Sequence, residues 1–128
     1  MKTEIIYGKV PSKSNCYKII TLGPKNKRFS SLGKTKALKE YENSFFMQLS
    51  GAYRGKDIEG FFELEIDVYY PSMRADLDNC LKGVLDCLQK SKAIRNDNKC
   101  VKIVARRFVD KKEPRIEFKL IELDAENT

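Results

Sequence analysis

Residues 62–70 carry the pattern that most constrains how this chain can fold. Apolar side chains alternate there with polar or aromatic ones, and the apolar set is Phe62, Leu64, Ile66, Val68 and Tyr70. A period of two is that of a β-strand with one buried face, because successive side chains point to opposite faces. Pro71 follows at once and ends the strand. The chain is therefore built around a half-buried strand that needs neighbouring strands and a packed layer over one face.

Two amphipathic helices are predicted, one before and one after this strand. The first fits about Lys34 to Leu49, where apolar residues recur at helical spacing, and Gly51 follows as a stop signal. Its apolar stripe is Leu38, Tyr41, Phe45, Phe46 and Leu49. The second spans roughly Leu77 to Lys90. Its core face is Leu77, Leu81, Val84, Leu85 and Leu88.

Shorter alternating or β-branched segments predict the remaining strands. These are residues 3–10, Cys16–Leu22, Val101–Val109 and 116–120, the last as hairpin partner of Val101–Val109 across the turn Asp110–Pro114. The order β(β)αβαββ predicts a mixed α+β domain with two main helices packed on a single sheet. We expect residues 1–123 to form one domain and residues 124–128 to be a polar tail.

Composition excludes several kinds of catalytic site. The 128-residue chain contains no histidine, which removes Ser-His-Asp and Cys-His nucleophile systems and histidine-based zinc sites. Its four cysteines include no pair at CxxC spacing, which favours buried thiols in a reducing compartment. No apolar run approaches the roughly 20 residues of a membrane span, and we expect a cytoplasmic protein. Catalysis would have to use carboxylates, lysine, hydroxyls, thiols or a metal ion.

Positive charge is concentrated near the start of the chain. The formal net charge is +7, and the segment from Lys9 to Lys39 contains nine cations and no acid. These are Lys9, Lys13, Lys18, Lys25, Lys27, Arg28, Lys34, Lys36 and Lys39. Such a segment attracts a polyanion, and release of condensed counterions favours nucleic acid. A solvated face that keeps the protein soluble and a site for anionic lipid are the alternatives.

Two aspartates lie where the long strand ends and the second helix begins. Asp76 and Asp78 are two residues apart, so they project to one side if the backbone between them is extended. Two such carboxylates repel each other unless a cation lies between them, and Mg²⁺ prefers oxygen ligands of this kind. Asp97, in the turn after the helix, is the third candidate ligand, and Lys82 would face the same pocket and stabilise a phosphate transition state.

Each of these residues also has a purely structural interpretation. Asp76 or Asp78 would cap the helix, where acids favour the positive end of the dipole. Lys82 would pair with Asp78 or Asp86 at i,i+4 spacing, and Asp97 would be a turn former. Carboxylates at the face of a cationic chain that binds phosphate would nevertheless repel that phosphate. A metal ion between the carboxylates and the phosphate would remove this repulsion, which favours a metal site.

The segment Asp76-Leu77-Asp78-Asn79-x-x-Lys82, followed by Asp86 and Asp97, resembles the signature of the RusA-type Holliday junction resolvases. The early run Gly8-Lys9-Val10-Pro11-Ser12-Lys13-Ser14-Asn15 is similar to that family's Pro-Ser-Lys-Asn turn. The likeness extends from about residue 4 to residue 121. The family often has arginine directly before the first aspartate, whereas this chain has Ala75 there, preceded by Arg74.

The resemblance implies a homodimeric endodeoxyribonuclease that binds four-way DNA junctions in recombination and repair, often encoded by a phage or prophage. It would nick two opposing strands with Mg²⁺, or Mn²⁺ as a substitute, leaving 5′-phosphate and 3′-hydroxyl ends. Asp76, Asp78 and Asp97 would hold metal, and Lys82 would be catalytic. The candidate DNA contacts are Lys9, Lys13, Asn15, Lys18 and Arg74.

Two other functions fit parts of the sequence. Glu117-Phe118-Lys119 matches the E-x-K fragment of restriction-type nucleases, although charged residues at that spacing on a strand usually face solvent. A non-catalytic nucleic-acid-binding protein would use the basic segment alone, with the aspartates as caps and turns. It would bind DNA without metal-dependent nicking.

Overall fold

The computed structural model describes residues 2–12, 17–25 and 27–123. Along these residues the chain forms strands, α-helices and short 3-10 turns in a mixed α+β arrangement, as predicted. The strands are β1 (Glu4–Tyr7), β2 (Tyr17–Leu22), β3 (Phe29–Lys34), β4 (Phe62–Tyr70), β5 (Cys100–Val109) and β6 (Arg115–Glu122). The helices are α1 (Lys36–Gln48) and α2 (Leu81–Lys90), and the 3-10 turns are Leu77–Cys80 and Asp97–Lys99.

Strand β4 is an inner strand of the main sheet, whose order is β1-β6-β4-β5. It pairs in parallel with β5 and antiparallel with β6, and β6 pairs antiparallel with β1. Residues along β4 alternate between buried and partly exposed. The half-buried strand that the sequence predicts is therefore confirmed, with identical bounds.

The helices cover the buried face of this sheet. Phe45 of α1 stacks on Phe118 of β6 with 5.8 Å between ring centroids, and α2 contributes the buried Val84 and Leu88 to the same core. The opposite face, which we call the open face, carries charged side chains of β4, among them Glu65 and Asp67. The core therefore lies between the sheet and the helices.

The predicted hairpin between the last two strands is wrong. β4 lies between β5 and β6, so β5 and β6 are not hydrogen-bonded neighbours. The connection 110–114 is long enough to cross the end of β4, where the Asp110 amide donates to the Tyr70 carbonyl at 2.8 Å. The reason is burial: Ile116 and Phe118 of β6 are fully buried at an inner position, whereas β5, at the edge, leaves residues such as Val104 exposed.

The predicted single sheet also needs correction. β2 pairs antiparallel with β3 in a separate two-stranded sheet, here called the hairpin. No strand is predicted at β3, because Phe29–Lys34 contains serines and a glycine without a period-two apolar pattern. The hairpin belongs to the cationic segment between Lys9 and Lys39.

Smaller differences concern the helices. The predicted second helix begins instead with the 3-10 turn Leu77–Cys80, and the α-helix follows from Leu81. Phe46, predicted in the apolar stripe of the first helix, is exposed instead. Its ring centroid lies 5.0 Å from Cζ of the Arg54 guanidinium. Within the described residues no helix is long and apolar enough to cross a membrane. The predicted tail 124–128 lies outside the described residues.

Candidate active site

The backbone that leads into the aspartates is held by two side chains from the main sheet. Arg107 of β5 donates from Nη1 to the Ala75 carbonyl at 3.0 Å. The hydroxyl of Tyr70, the last residue of β4, donates to the Asp76 carbonyl at 3.4 Å. Burial and a hydrogen bond with Cys80 raise the pKa of Tyr70, so it stays a neutral donor at physiological pH. These two hydrogen bonds hold the backbone at Ala75 and Asp76 in place next to the ends of β4 and β5.

Asp76 occupies the capping position of the first 3-10 turn, with an extended backbone, but its side chain makes no capping hydrogen bond. The interpretation of Asp76 as a helix cap therefore finds no support in the contacts that the structure describes. The Asp76 side chain is exposed at the surface. Its carboxylate is thus accessible to a ligand.

Asp78 lies inside the 3-10 turn, and it too is exposed. The chain is extended at Asp76 but turns from Leu77 onwards, so the simple argument that both carboxylates project to one side of an extended segment does not hold. Asp78 lies close enough to Cys80 for its charge to add to burial, the larger cause, in raising the pKa of that thiol. The charge of Asp78 also contributes, as a minor cause, to the raised pKa of Tyr70 at the end of β4.

Lys82, in the first turn of α2, is part of a contact network. Its Nζ lies 3.9 Å from Oδ1 of Asp86, one helical turn later. The same Nζ lies 5.4 Å from the ring centroid of Tyr17, at the start of the hairpin. The Tyr17 hydroxyl donates to Oδ2 of Asp86. We call Tyr17, Lys82 and Asp86 the lysine cluster.

Asp97 lies close to this cluster. Burial raises the pKa of Asp86, and the negative charge of Asp97 raises it further. The amide of Asp97 donates to Oε1 of Gln89, in the last turn of α2, at 3.0 Å. Its turn is capped by the side chain of Asn96, which accepts from Asn98 at 3.1 Å. The Asp97 carboxylate is therefore not the turn's cap, and the turn that carries it lies against the last turn of α2.

No three acidic or cysteine side chains within the described ranges 2–12, 17–25 and 27–123 are grouped closely enough to hold a metal ion. The structure brings Lys82 and Asp97 near Asp86, but it does not assemble Asp76, Asp78 and Asp97 into one ligand set. The chemistry of the side chains nevertheless fits a hard divalent cation, because Asp76, Asp78 and Asp97 all offer carboxylate oxygens. Asp76 and Asp78 are also exposed, so a cation has access to them.

The cationic hairpin lies beside these residues. Lys18, Lys25 and Lys27 are exposed on or near the hairpin, and Lys9 and Arg74 are exposed elsewhere. The predicted contacts Lys13 and Asn15 lie outside the described residues. The hairpin reaches α2 through Tyr17, the first residue of β2, which contacts both Asp86 and Lys82.

The E-x-K residues lie on β6, where their charges are already paired. Nε of Arg115 lies 2.7 Å from the Glu117 carboxylate, and Nζ of Lys119 lies 3.5 Å from the Glu65 carboxylate. Both residues line a cavity of about 420 Å³ on the open face together with Asp67. These pairings support the interpretation of Glu117 and Lys119 as charged residues of a sheet surface.

The residues that support this site are not predicted from the sequence. Tyr17 is predicted as a strand residue in the basic segment, Arg107 as a strand residue and Tyr70 as a core residue. Their contacts join positions far apart in the sequence, such as Tyr17 and Asp86. Asp86 stands out in sequence by its i,i+4 spacing to Lys82, but nothing local indicates that Tyr17 is its partner.

The site thus combines two exposed carboxylates, those of Asp76 and Asp78, with Lys82 on α2 and a cationic hairpin that contacts α2 through Tyr17. The family model described as endodeoxyribonuclease RusA matches residues 21–121 of the 128-residue chain. The chain therefore belongs to the RusA endodeoxyribonuclease family, as its sequence motif indicates. This family implies endonuclease activity on branched DNA junctions and a general dependence on divalent metal ions. No curated protein matches the chain.

Proposed function

We propose that this chain is a crossover junction endodeoxyribonuclease that resolves four-way DNA junctions with paired, Mg²⁺-dependent nicks. The observation that carries the proposal is the family match, because residues 21–121 contain Asp76, Asp78, Lys82 and Asp97 together. The carboxylate of Asp76 supports it, since that side chain is exposed and makes no capping hydrogen bond.

The reaction we propose is hydrolysis of a phosphodiester. The oxygen of water bonds to phosphorus, the bond from phosphorus to the 3′ oxygen breaks, and the 3′ oxygen takes up a proton. This leaves 5′-phosphate and 3′-hydroxyl ends that can be religated. Lys82 stabilises the negative charge that develops on the phosphate, and the support for this role is that its side chain is half exposed although it faces Asp86.

Asp76, Asp78 and Asp97 would hold the divalent cation, Mg²⁺ or Mn²⁺ as a substitute. When bound, such an ion supplies charge shielding for the phosphate and a more acidic water. Two of these carboxylates lie at the surface, where substrate phosphate has access to them. Lys9, Lys18 and Arg74, also exposed, are the proposed contacts to the DNA backbone, together with Lys13 and Asn15.

We also propose that the working unit is a homodimer. A four-way junction is nearly two-fold symmetric, and a two-fold dimer can present one active site to each of two opposed strands. Strand β5 supports this, because it lies at the edge of the main sheet with Val101, Val104 and Phe108 exposed. Light scattering on a size-exclusion column should then give twice the mass of the 14.8 kDa chain. A monomeric mass with full junction cleavage would contradict this part.

The biological setting we propose is recombination or repair, with a phage or prophage as the source of the gene. Family membership is the support for it. A cytoplasmic location would follow from this setting.

The deciding experiment compares a labelled four-way junction with a linear duplex of the same sequence, with Mg²⁺, with Mn²⁺ and with neither. Wild type should cleave only the junction, and only with a divalent ion. Asp76→Asn should lose cleavage while it keeps junction binding in a gel-shift assay. Asp67→Asn is the matched control, because Asp67 lies on the open face and pairs with Arg106.

The outcomes separate the alternatives. If Asp76→Asn cleaves the junction at the wild-type rate, the proposed active site at Asp76 is wrong. Junction binding without any nicking, in every metal condition, would favour the non-catalytic binding protein instead.

A further inference from the structure

Tyr17 makes two contacts that converge on the proposed catalytic lysine. Its hydroxyl donates to Oδ2 of Asp86, and its ring lies 5.4 Å from Nζ of Lys82. Asp86 in turn uses its other oxygen, Oδ1, for Lys82 at 3.9 Å. The Lys82 ammonium is thus bounded by a carboxylate on one side and an aromatic face on the other.

These contacts matter because the Lys82 side chain would otherwise be free to move. It is 49% exposed, and a lysine so accessible has many rotamers open to it. A single ion pair at this exposure restrains a lysine weakly. An aromatic face adds attraction for the ammonium, and the tyrosine hydroxyl fixes the carboxylate that Lys82 faces. Tyr17 therefore acts on Lys82 both directly and through Asp86.

We propose that Tyr17 is a positioning residue that holds Lys82 for transition-state stabilisation. This inference rests on the proposed function, in which Lys82 faces the phosphate. Tyr17 belongs to β2, so the hairpin and Lys82 share one contact point. A hairpin displaced from α2 would leave Lys82 with Asp86 alone.

A merely structural role for Tyr17 would be to pin the hairpin to α2. The two roles differ in what Tyr17→Phe should change, because phenylalanine keeps the ring under Lys82 and removes only the hydroxyl. The hairpin also has a second contact, between Lys34 and Glu42 of α1 at 2.9 Å, which this substitution leaves in place. A structural role predicts weaker junction binding and lower stability. A positioning role predicts a lower kcat with binding unchanged.

The experiment measures single-turnover cleavage and junction affinity for wild type, Tyr17→Phe, Lys82→Arg and the double variant. We expect Tyr17→Phe to lower the cleavage rate about tenfold with Kd within about twofold, the loss typical of one hydrogen bond to a charged group. In the Lys82→Arg background Tyr17→Phe should have little further effect, because both substitutions disturb the same group. Tyr7→Phe is the control, since Tyr7 lies half exposed on β1.

A second readout does not need nuclease activity. The rate at which a water-soluble acylating reagent modifies Lys82, mapped by mass spectrometry, should rise about threefold or more in Tyr17→Phe as the ammonium loses its fixed partner. Exposed Lys39 of α1 should be modified at an unchanged rate.

An unchanged cleavage rate in Tyr17→Phe, or unchanged Lys82 modification, would overturn the role of Tyr17. Equal loss from Tyr17→Phe in the wild-type and Lys82→Arg backgrounds would do the same. Failure of the wild-type enzyme to cleave any junction would instead overturn the proposed function.

Discussion

Tyr17 and Lys34 are register partners across the base of the hairpin, and each reaches a different helix. Tyr17 donates to Asp86 of α2, while Nζ of Lys34 lies 2.9 Å from the carboxylate of Glu42 of α1. Among the contacts of the described residues, a polar contact from each strand thus joins the two-stranded sheet to the helical layer. An isolated hairpin of this size is at best marginally stable in water, so these contacts contribute to its order.

The Lys34–Glu42 pair should be important for stability. The Glu42 side chain is 1% exposed, so Lys34→Met leaves a buried carboxylate without its cation. We expect a loss of about 3 kcal/mol in the free energy of unfolding, the low end for a buried pair because Lys34 is 37% exposed. Urea unfolding followed by circular dichroism measures it. Lys34→Met with Glu42→Met should recover most of the loss, and a double variant as unstable as the single one would contradict this account.

The stacked ring of Phe118 should be among the most costly core residues to truncate. It is fully buried and contacts the rings of Phe45 and Tyr53 at 5.8 and 5.6 Å between centroids. Phe118→Ala should destabilise the protein by about 3–5 kcal/mol, since it removes packing and leaves a cavity. Met47→Ala, at a highly exposed position of α1, should cost far less in the same denaturation assay. Equal losses for the two variants would be inconsistent with the core described here.

The hairpin should dominate the salt dependence of junction binding. Lys25 and Lys27 are exposed at the connection between its strands. If both contact phosphate, Lys25→Gln with Lys27→Gln should reduce the slope of log K against log salt by about two. The control is Lys102→Gln with Lys119→Gln, which removes the same charge from the open face. If the control pair reduces the slope of log K against log salt by the same amount, the hairpin lysines do not contact DNA phosphate more than other surface lysines do.

Glu117 and Asp78 separate the two nuclease interpretations. Asp78→Ala should abolish Mg²⁺-dependent cleavage, because it removes a proposed metal ligand. Glu117→Ala should leave cleavage near the wild-type rate and cost only the ion pair with Arg115 on the sheet surface. The junction assay with both variants side by side checks this. The reverse pattern would favour an E-x-K active site.

Two of the described cysteines should be inert in the folded protein. Cys80 and Cys87 are buried, and burial raises the pKa of Cys80, which lowers its thiolate fraction at any given pH. Iodoacetamide at pH 8 should modify both at least about a hundredfold more slowly in the native protein than in urea, because thiolate and access are both required. Mass spectrometry of peptides assigns the sites. Native alkylation of Cys80 at the unfolded rate would contradict its burial.

Local patterns were enough to predict most of the elements. The period-two alternation in Phe62–Tyr70 and the helical stripe around Leu38 and Phe45 depend on neighbours in the sequence, so composition and spacing identify them. β3 could not be found this way, since Phe29–Lys34 lacks an alternating pattern and exists only by pairing with β2. The exposed position of Phe46 likewise depends on which part of α1 the sheet covers.

By itself, the sequence determined the α+β class, the family motif from Asp76 to Lys82 and the cationic segment, because each is a matter of residue type and spacing. Only the tertiary structure decided that β6 lies beside β4 rather than β5, and that Lys82 meets Tyr17. The physical reason is the same in both cases. Contacts between distant parts of the chain depend on which arrangement buries the apolar side chains best across the whole fold. Local periodicity in the sequence does not predict them.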